Sequence, residues 1–445
     1  MKRSPDDRTT SFAERRAQSP LIGPIPALDE AIIADVPRYD DARLEPRRFI
    51  AMGGMGEVIE VADTSLGRGV AKKTLHVDLQ AEVRNQRMLV REARVTGQLE
   101  HPNIVPVHEL GVDAEGRLYF TMKKVEGRTL KDLVDALPPG PFEQTTLLNM
   151  IEIVIKACDA LAFAHARGVV HCDLKASNVM VGDFGEVYLM DWGVARLLGA
   201  KGAREGFEPV DDHLGVLADP TEGTIAGTPA HMAPEQAKGE NDLIGPRTDV
   251  FAVGALLYEI VAGHPPYEAE IVWALLLKAA MHELEPIEDC ERGKSLPPYL
   301  RGIIHRAMRA NPDERHPSVT AIRDELVRFV RGEIEFPSVR FEAGAAIVRE
   351  GERGDAAFRI LEGECRVYRG VDADRTFVRS MGPGETFGEM AILSPGPRTA
   401  TVIAHTDVVA EVVTAEVFVH ELSSMKPWLA TVVRTLADRF RERGL

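Results

Sequence analysis

Asp173, Lys175, Asn178 and Asp191 fall within residues 169–193 at the spacings that a phosphoryl-transfer site needs to hold a hydroxyl, a phosphate and magnesium together. The stretch reads Val-Val-His-Cys-Asp-Leu-Lys-Ala-Ser-Asn-Val-Met-Val, a short turn, then Glu-Val-Tyr-Leu-Met-Asp-Trp-Gly. Such a set of side chains points to an enzyme.

The elements that must carry these groups are two short strands. Residues 179–181 and 187–190 are apolar β-formers separated by Gly182-Asp183-Phe184-Gly185, which predicts a hairpin with a glycine-bearing turn. Asp183-Phe184-Gly185 copies a metal-binding signature but stands at the far end of that hairpin. Asp191 leaves the return strand beside Asn178, so two oxygen ligands converge on one hard cation, and Asp191-Trp192-Gly193 is read as the metal motif.

With these motifs in order the chain resembles a bacterial protein kinase of the eukaryotic-like serine/threonine type over residues 46–332. Lys175 in Asp-Leu-Lys-x-x-Asn is similar to the serine/threonine form rather than the tyrosine form. The resemblance implies an α+β chain with a bilobal protein-kinase fold, using ATP and Mg2+ to phosphorylate proteins. Asp173 would accept or orient the proton of the attacking hydroxyl, Lys175 would offset charge on the transferred phosphoryl group, and Asn178 and Asp191 would hold magnesium. His171 would brace the loop.

Upstream, Arg48-Phe-Ile-Ala-Met-Gly-Gly-Met-Gly-Glu-Val58 predicts strand, glycine-rich turn, strand. Gly53, Gly54 and Gly56 let backbone approach phosphates, and Val58 follows on the return strand. Ala51 stands where the family has its first glycine, which predicts a stiffer loop. In Val70-Ala71-Lys72-Lys73, alternation sends the two lysines to opposite faces, and the family pattern makes Lys73 the phosphate-pairing one. Its partner is expected to be Glu92 on a helix over 88–99, with Glu82 as the alternative. By resemblance Ala71 and Met122 line the adenine pocket, and the backbone over 123–125, Val125 included, bonds the base. Met122 could equally be core packing.

An amphipathic helix over 145–167, capped by Gly168, is expected to deliver the catalytic loop. Cys172 stands where most family members carry an arginine whose fork binds a phosphate on the activation segment. Cysteine cannot do this, so activity should depend little on phosphorylation there. Cys172 itself reads as a small buried apolar residue, with a redox role as the alternative. Thr228 in Gly227-Thr228-Pro229 resembles the element that receives the substrate residue, and Thr221 and Thr224 are candidate self-modification sites. Glu235 is expected to pair with Arg315, and Asp249 to hold the catalytic loop's backbone. Helices are expected over 248–263, 297–310 and 317–331.

After Gly332 the pattern changes to short β-like runs between glycine-rich turns, at 339–341, 346–349, 356–361, 364–368, 376–381 and 399–404, which predicts a small barrel or jelly roll. Phe387-Gly388-Glu389-Met390-Ala391 and Pro397-Arg398-Thr399-Ala400 resemble the phosphate-binding cassette of cyclic-nucleotide-binding domains over 338–421. Backbone N–H groups from Gly388 through Met390 to Ala391 would face an anion, Arg398 would fork onto it, and Glu389 would accept from a ribose hydroxyl. Thr399 is similar to the arrangement in members selecting cyclic GMP over cyclic AMP. The C-terminal helix over 428–443 has the position of the family's lid, with 425–429 covering the base. The alternative is a docking barrel with an empty pocket.

The expected domains are therefore a disordered tail over 1–43, a kinase domain over 44–332 and a cyclic-nucleotide-binding domain over 333–445. A formal net charge of −16 argues against nucleic acid or an anionic membrane as main partner. Cys158, Cys172, Cys290 and Cys365 are scattered without pairing, which fits a reducing cytoplasm. The longest apolar run, 250–262, is too short to span a bilayer. The partners expected are protein substrates and a cyclic nucleotide. Two other readings stand beside the regulated kinase: a pseudokinase scaffold, and a cyclic-nucleotide sensor without phosphotransfer.

Overall fold

The computed structural model describes residues 27–33, 36–39, 43–53, 56–199, 202–206, 209–210, 227–333, 338–370, 375–393 and 396–415, and isolated helical positions between 422 and 439. Gly54, Thr221 and Thr224 lie outside the described residues. The chain divides into two compact units, with the boundary between Val330 and Arg331.

Runs of β-branched and small apolar residues build an antiparallel sheet from β1 (Leu44–Met52), β2 (Gly56–Asp63), β3 (Arg68–Leu75), β4 (Val107–Val112) and β5 (Leu118–Lys123), in the order β1-β2-β3-β5-β4. Val58 pairs with Lys73 and Ala71 with Met122, and directly paired residues project from one face. These four side chains therefore share a face of the sheet. The helix Val83–Gln98 packs on it through Leu89, Val90 and Ala93, which join Leu75, Val112, Leu118 and Phe120 in one core. This helix begins earlier than its apolar spacing suggested.

The expected disordered tail over 1–43 needs correction within residues 27–39. A short helix, Glu30–Ile33, buries Ile32 and Ile33, and Val36 follows them into the same core. Arg38 forms a parallel bridge with Val112 at the edge of β4. Burying three branched aliphatic side chains contributes about 1.5–3 kcal/mol each, enough to order a segment whose own helix propensity is slight.

The second lobe of this unit is helical. Gln144–Ala166 buries Leu147, Ile151, Val154, Cys158 and Leu161, and the chain leaves it through Gly168 at φ +75°. Pro246–Ala262 is buried almost throughout, and Gly263 ends it at φ +83°. Pro298–Ala307 and Val319–Val330 follow, while Val272–Met281 is a helix the sequence reading did not anticipate. Small pairings link the catalytic segment: β6 (Gly127–Thr129), β8 (Val179–Gly182) and β9 (Val187–Leu189) form one sheet, and β7 (Val169–Val170) pairs with β10 (Arg196–Leu197). Phe184 stands at the β8–β9 turn, 95% exposed, so Asp183-Phe184-Gly185 is a hairpin turn.

The second unit consists of two four-stranded antiparallel sheets. One has the order β11 (Ser338–Phe341), β18 (Val408–Thr414), β13 (Ala356–Glu362), β16 (Thr386–Phe387). The other has the order β12 (Ala346–Val348), β17 (Thr401–Ala404), β14 (Cys365–Arg369), β15 (Thr376–Met381). Val348, Ile360, Cys365, Met381, Phe387, Val402, Val408 and Ala410 fill the space between them. Two strands, β16 and β18, were absent from the sequence reading. Of the expected lid, Trp428 is helical, and Met425 and Leu429 lie outside the described residues.

Candidate active site

Alternation along β3 sends Lys72 and Lys73 to different surroundings. Lys73 Nζ lies 2.6 and 2.7 Å from the two carboxylate oxygens of Glu92. Lys72 is buried on the other face, 3.3 Å from Asp113 and over the Tyr119 ring. Glu82, the alternative partner, sits at the start of the helix and accepts from Asn85. Burial works against the Lys73 ammonium, yet Glu92 and Asp191 outweigh it and hold its pKa above the ordinary lysine value. Burial pushes Glu92 up to about 7, with Lys73 opposing and Asp191 adding to the shift. Lys73, Glu92 and Asp191 thus form one electrostatic cluster.

Gly56 occupies its place for a reason besides phosphate approach. A Cβ there would lie 2.1 Å from the carbonyl oxygen of Thr74, whereas at Gly53 the nearest atom, Gly56 O, would be 3.5 Å away. Met122 and Val125 are half-buried, and Ala71 is buried, paired with Met122 on β5 and with Glu60 on β2.

The catalytic segment is held from three sides. Asp249, buried on the helix Pro246–Ala262, accepts from the backbone N–H groups of His171 at 2.8 Å and Cys172 at 3.0 Å, and contacts His165 Nε2 at 2.7 Å. Burial would raise its pKa, but the hydrogen bonds from His165 and from the His171 backbone outweigh it and keep the carboxyl below its usual range. His171 reaches the Met190 carbonyl at 3.1 Å and packs edge-on against Trp192, with ring centroids 4.5 Å apart. Met190 N donates to Asn178 O at 2.9 Å, which ties the residue before Asp191 to the other expected metal ligand.

Asp173 receives Lys175 Nζ at 2.7 Å on Oδ2 and the backbone N–H of Thr228 at 2.7 Å on Oδ1, while Lys175 also donates to the Thr228 hydroxyl. Asn178 Nδ2 donates to Asp173 O at 2.9 Å, and among the described residues its amide oxygen takes no hydrogen bond. That leaves a neutral oxygen and the Asp191 carboxylate as a hard donor set suited to magnesium. Glycine is required at 227, with φ +117°, because a Cβ there would meet Cys172 O at 2.9 Å. Behind this contact Glu235 and Arg315 form a two-pronged buried ion pair, both N–O distances 2.7 Å.

Two contributors were not singled out from the sequence. Gln236 Nε2 donates to Cys172 O at 2.8 Å, and Arg91 Nη2 donates to Ala195 O at 2.6 Å. Gln236 stands directly after Ala-Pro-Glu, a position that gave a cue; Arg91 had only its place beside Glu92.

In the second unit Gly388, at φ +86°, precedes the short helix Met390–Leu393, which includes Ala391. The fork of Arg398 is turned onto protein carbonyls, Nη1 to Gly388 O and Nη2 to Ala356 O, both at 2.7 Å, instead of outward as expected. A buried guanidinium must satisfy its donors, and these carbonyls are within reach. Among the described residues Glu389 Oε2 is buried without a hydrogen-bond partner, and burial holds the carboxyl above its ordinary value. An orphaned acceptor suits a ribose hydroxyl. Thr399 is exposed, and among the described residues it forms no hydrogen bond with the cassette.

Comparison with known proteins accords with two parts. A family model for the protein kinase domain matches residues 44–327, and one for the cyclic nucleotide-binding domain matches residues 338–424. The chain is similar to serine/threonine-protein kinase PknD of Chlamydia caviae, 33% identical over 309 residues, covering 67% of this chain and 32% of that protein. PknD of Chlamydia trachomatis serovar L2b is 33% identical over 309 residues, covering 66% and 32%. Serine/threonine-protein kinase PknB of Mycolicibacterium smegmatis is 31% identical over 368 residues, covering 82% and 50%. The chain spans about a third of the length of the PknD relatives it matches.

Proposed function

This chain belongs to the protein kinase family, and from that premise we propose that it is a serine/threonine kinase moving the γ-phosphoryl group of ATP to a protein hydroxyl. The observation that carries the reading is the closure of Asp173, Lys175 and Thr228 on one another while Lys73 stays paired with Glu92. In this reading Asp173 takes the proton of the substrate hydroxyl as its oxygen bonds the γ-phosphorus and the bond to the β-phosphate oxygen breaks, releasing ADP. Lys175 offsets charge on the moving group, and Lys73 orients the α- and β-phosphates. Thr228 holds the substrate residue's backbone in register with Asp173. Magnesium, when bound through Asn178 and Asp191, supplies charge neutralisation at the phosphates. Val58, Ala71 and Met122 would enclose the adenine, with Val125 bonding it.

The second unit would bind a cyclic nucleotide and regulate the kinase in cis. Support comes from the match to the cyclic nucleotide-binding family and from the partnerless Glu389 oxygen. Cyclic AMP and cyclic GMP are both carried as ligands. Ligand control requires different affinities for two states of the protein. A cytoplasmic setting belongs to this reading, supported by four free cysteines. Among the described residues no helix is long and apolar enough to cross a membrane.

The test is transfer of labelled phosphate from ATP to a protein acceptor. Asp173→Asn should abolish it, and Lys73→Met should lower it by about 3 orders of magnitude. Transfer that survives Asp173→Asn would sink the assignment. Calorimetry of the full chain with each cyclic nucleotide, followed by assays at saturation, tests regulation, and binding without any change in rate removes the coupling.

A further inference from the structure

The kinase-family match starts at residue 44, yet the core behind the helix Val83–Gln98 is completed by residues that precede the match. Ile32, Ile33 and Val36 pack with Leu89, Val90 and Ala93 of the helix Val83–Gln98 and with Val112, Leu118 and Phe120 of the sheet. Polar contacts fix the segment at both ends. Asp29 N donates to Gln86 Oε1 at 2.9 Å, and Gln86 Nε2 reaches Ala27 O at 3.4 Å and Gln80 O at 2.7 Å. At the other end Val112 N donates to Pro37 O at 3.0 Å and Tyr39 N to Val112 O at 3.1 Å.

The segment therefore joins the first half of the helix to the edge strand β4. The same helix carries Glu92, whose buried carboxylate meets Lys73 on the cleft side, and Arg91, which bonds Ala195 O. Two buried polar contacts hold the helix toward the cleft. The apolar contact behind it comes partly from residues 27–39.

We propose that residues 27–39 are an intramolecular positioning segment that keeps Glu92 on Lys73, with Ile32, Ile33 and Val36 as its positioning residues. The inference rests on the kinase reading above and deepens it. By packing behind the helix, the segment would favour the placement in which the Lys73–Glu92 pair is closed over one in which it is open.

The test uses the full chain carrying Ile32→Asp with Ile33→Asp, beside the conservative pair Ile32→Val with Ile33→Val. The aspartate pair should lower both kcat and affinity for a fluorescent ATP analogue by about tenfold, and the valine pair should leave both near the parent. A synthetic peptide of residues 27–39 added in trans should restore the aspartate variant, and the same peptide with both isoleucines changed to aspartate should not. Parent-like kcat and nucleotide affinity in the aspartate variant overturn the proposal. So does a folded, impaired variant that saturating peptide does not restore, and so does loss of folding that the peptide cannot reverse. A parent chain that binds the analogue but transfers no phosphate counts against the kinase reading alone, and the positioning role is then decided by nucleotide affinity.

Discussion

Gln236 Nε2 donates to the carbonyl oxygen of Cys172 at 2.8 Å while Gln236 Oε1 accepts from the Ala233 backbone at 3.1 Å. The end of the activation segment is thereby bonded to the catalytic loop at the residue that stands in place of an arginine. Cys172 has φ +64°, a conformation that costs a non-glycine residue energy and persists only when its surroundings impose it. Asp249 fixes its N–H and Gln236 its C=O, so both peptide groups are engaged without a phosphate.

Phosphatase treatment should therefore leave kcat within about twofold, because no guanidinium at 172 is left to read a phosphate. Gln236→Ala should lower kcat by about tenfold with little change in the KM for ATP, since a buried carbonyl loses its donor. Steady-state kinetics on parent and variant, each with and without phosphatase, check both statements. A phosphatase-sensitive parent would show that some other cation reads the phosphate.

Glu235 and Arg315 are both buried and joined by two charge-assisted bonds, with Arg315 also bonding carbonyls of Arg309, Ala310 and Arg247. Removing only the acid leaves a buried guanidinium short of its charge partner. Glu235→Ala should cost about 3–5 kcal/mol, whereas breaking the exposed pair of Arg340 and Asp407 should leave the unfolding midpoint almost unchanged. Urea unfolding of the two variants measures the difference.

Much of this site was legible because its spacing is short. Period-two alternation separated Lys73 from Lys72, and hairpin length separated Asp191 from Asp183. What escaped was decided by packing. β18 lies between β11 and β13 and reads Val-Val-Ala-Glu-Val-Val-Thr, without the alternation of a half-buried strand, because its Glu411 is covered by Arg359. The helix Val272–Met281 is apolar on nearly every side, with Trp273 73% exposed, so no stripe marked it. Glu30–Ile33 is a single helical turn held by core residues between 75 and 120, and Arg398 was legible as a charge but not as a donor to Gly388 and Ala356.

The glycine-rich turn offers a contrast within one motif. Gly56→Ala would push a methyl group to 2.1 Å from Thr74 O, so β2 and β3 must part, and both stability and ATP affinity should fall. At Gly53 the added carbon meets nothing closer than 3.5 Å, so Gly53→Ala should fold normally and lose affinity only if the nucleotide passes there. Thermal melting with and without ATP separates the two effects. Equal melting temperatures for both variants would mean that the sheet tolerates the extra carbon at 56.

If Glu389 holds the ribose as proposed, nucleotide binding in the second unit should depend on pH. Burial raises its pKa above the ordinary glutamate value, and the groups opposing that shift are Arg379, Arg398 and a backbone hydrogen bond. A carboxyl raised in the folded state favours folding below its unfolded value and loses that contribution as pH rises through the folded one, so ionising Glu389 in the free protein costs stability. A ribose hydroxyl donating to Oε2 would stabilise the ionised form, which gives the complex a lower pKa than the free protein. Affinity should then fall on acidification, starting above the ordinary glutamate range, by at most about tenfold per pH unit, and stay level above the free protein's pKa. Glu389→Gln should flatten that profile and, at pH values above the free protein's pKa, weaken binding and raise the melting temperature of the ligand-free chain, because the unpaired charge is gone there. Calorimetric titrations with cyclic AMP and cyclic GMP across the acidic range, on parent and variant, decide the matter, and a parent profile no steeper than that of the variant would remove Glu389 from the ribose.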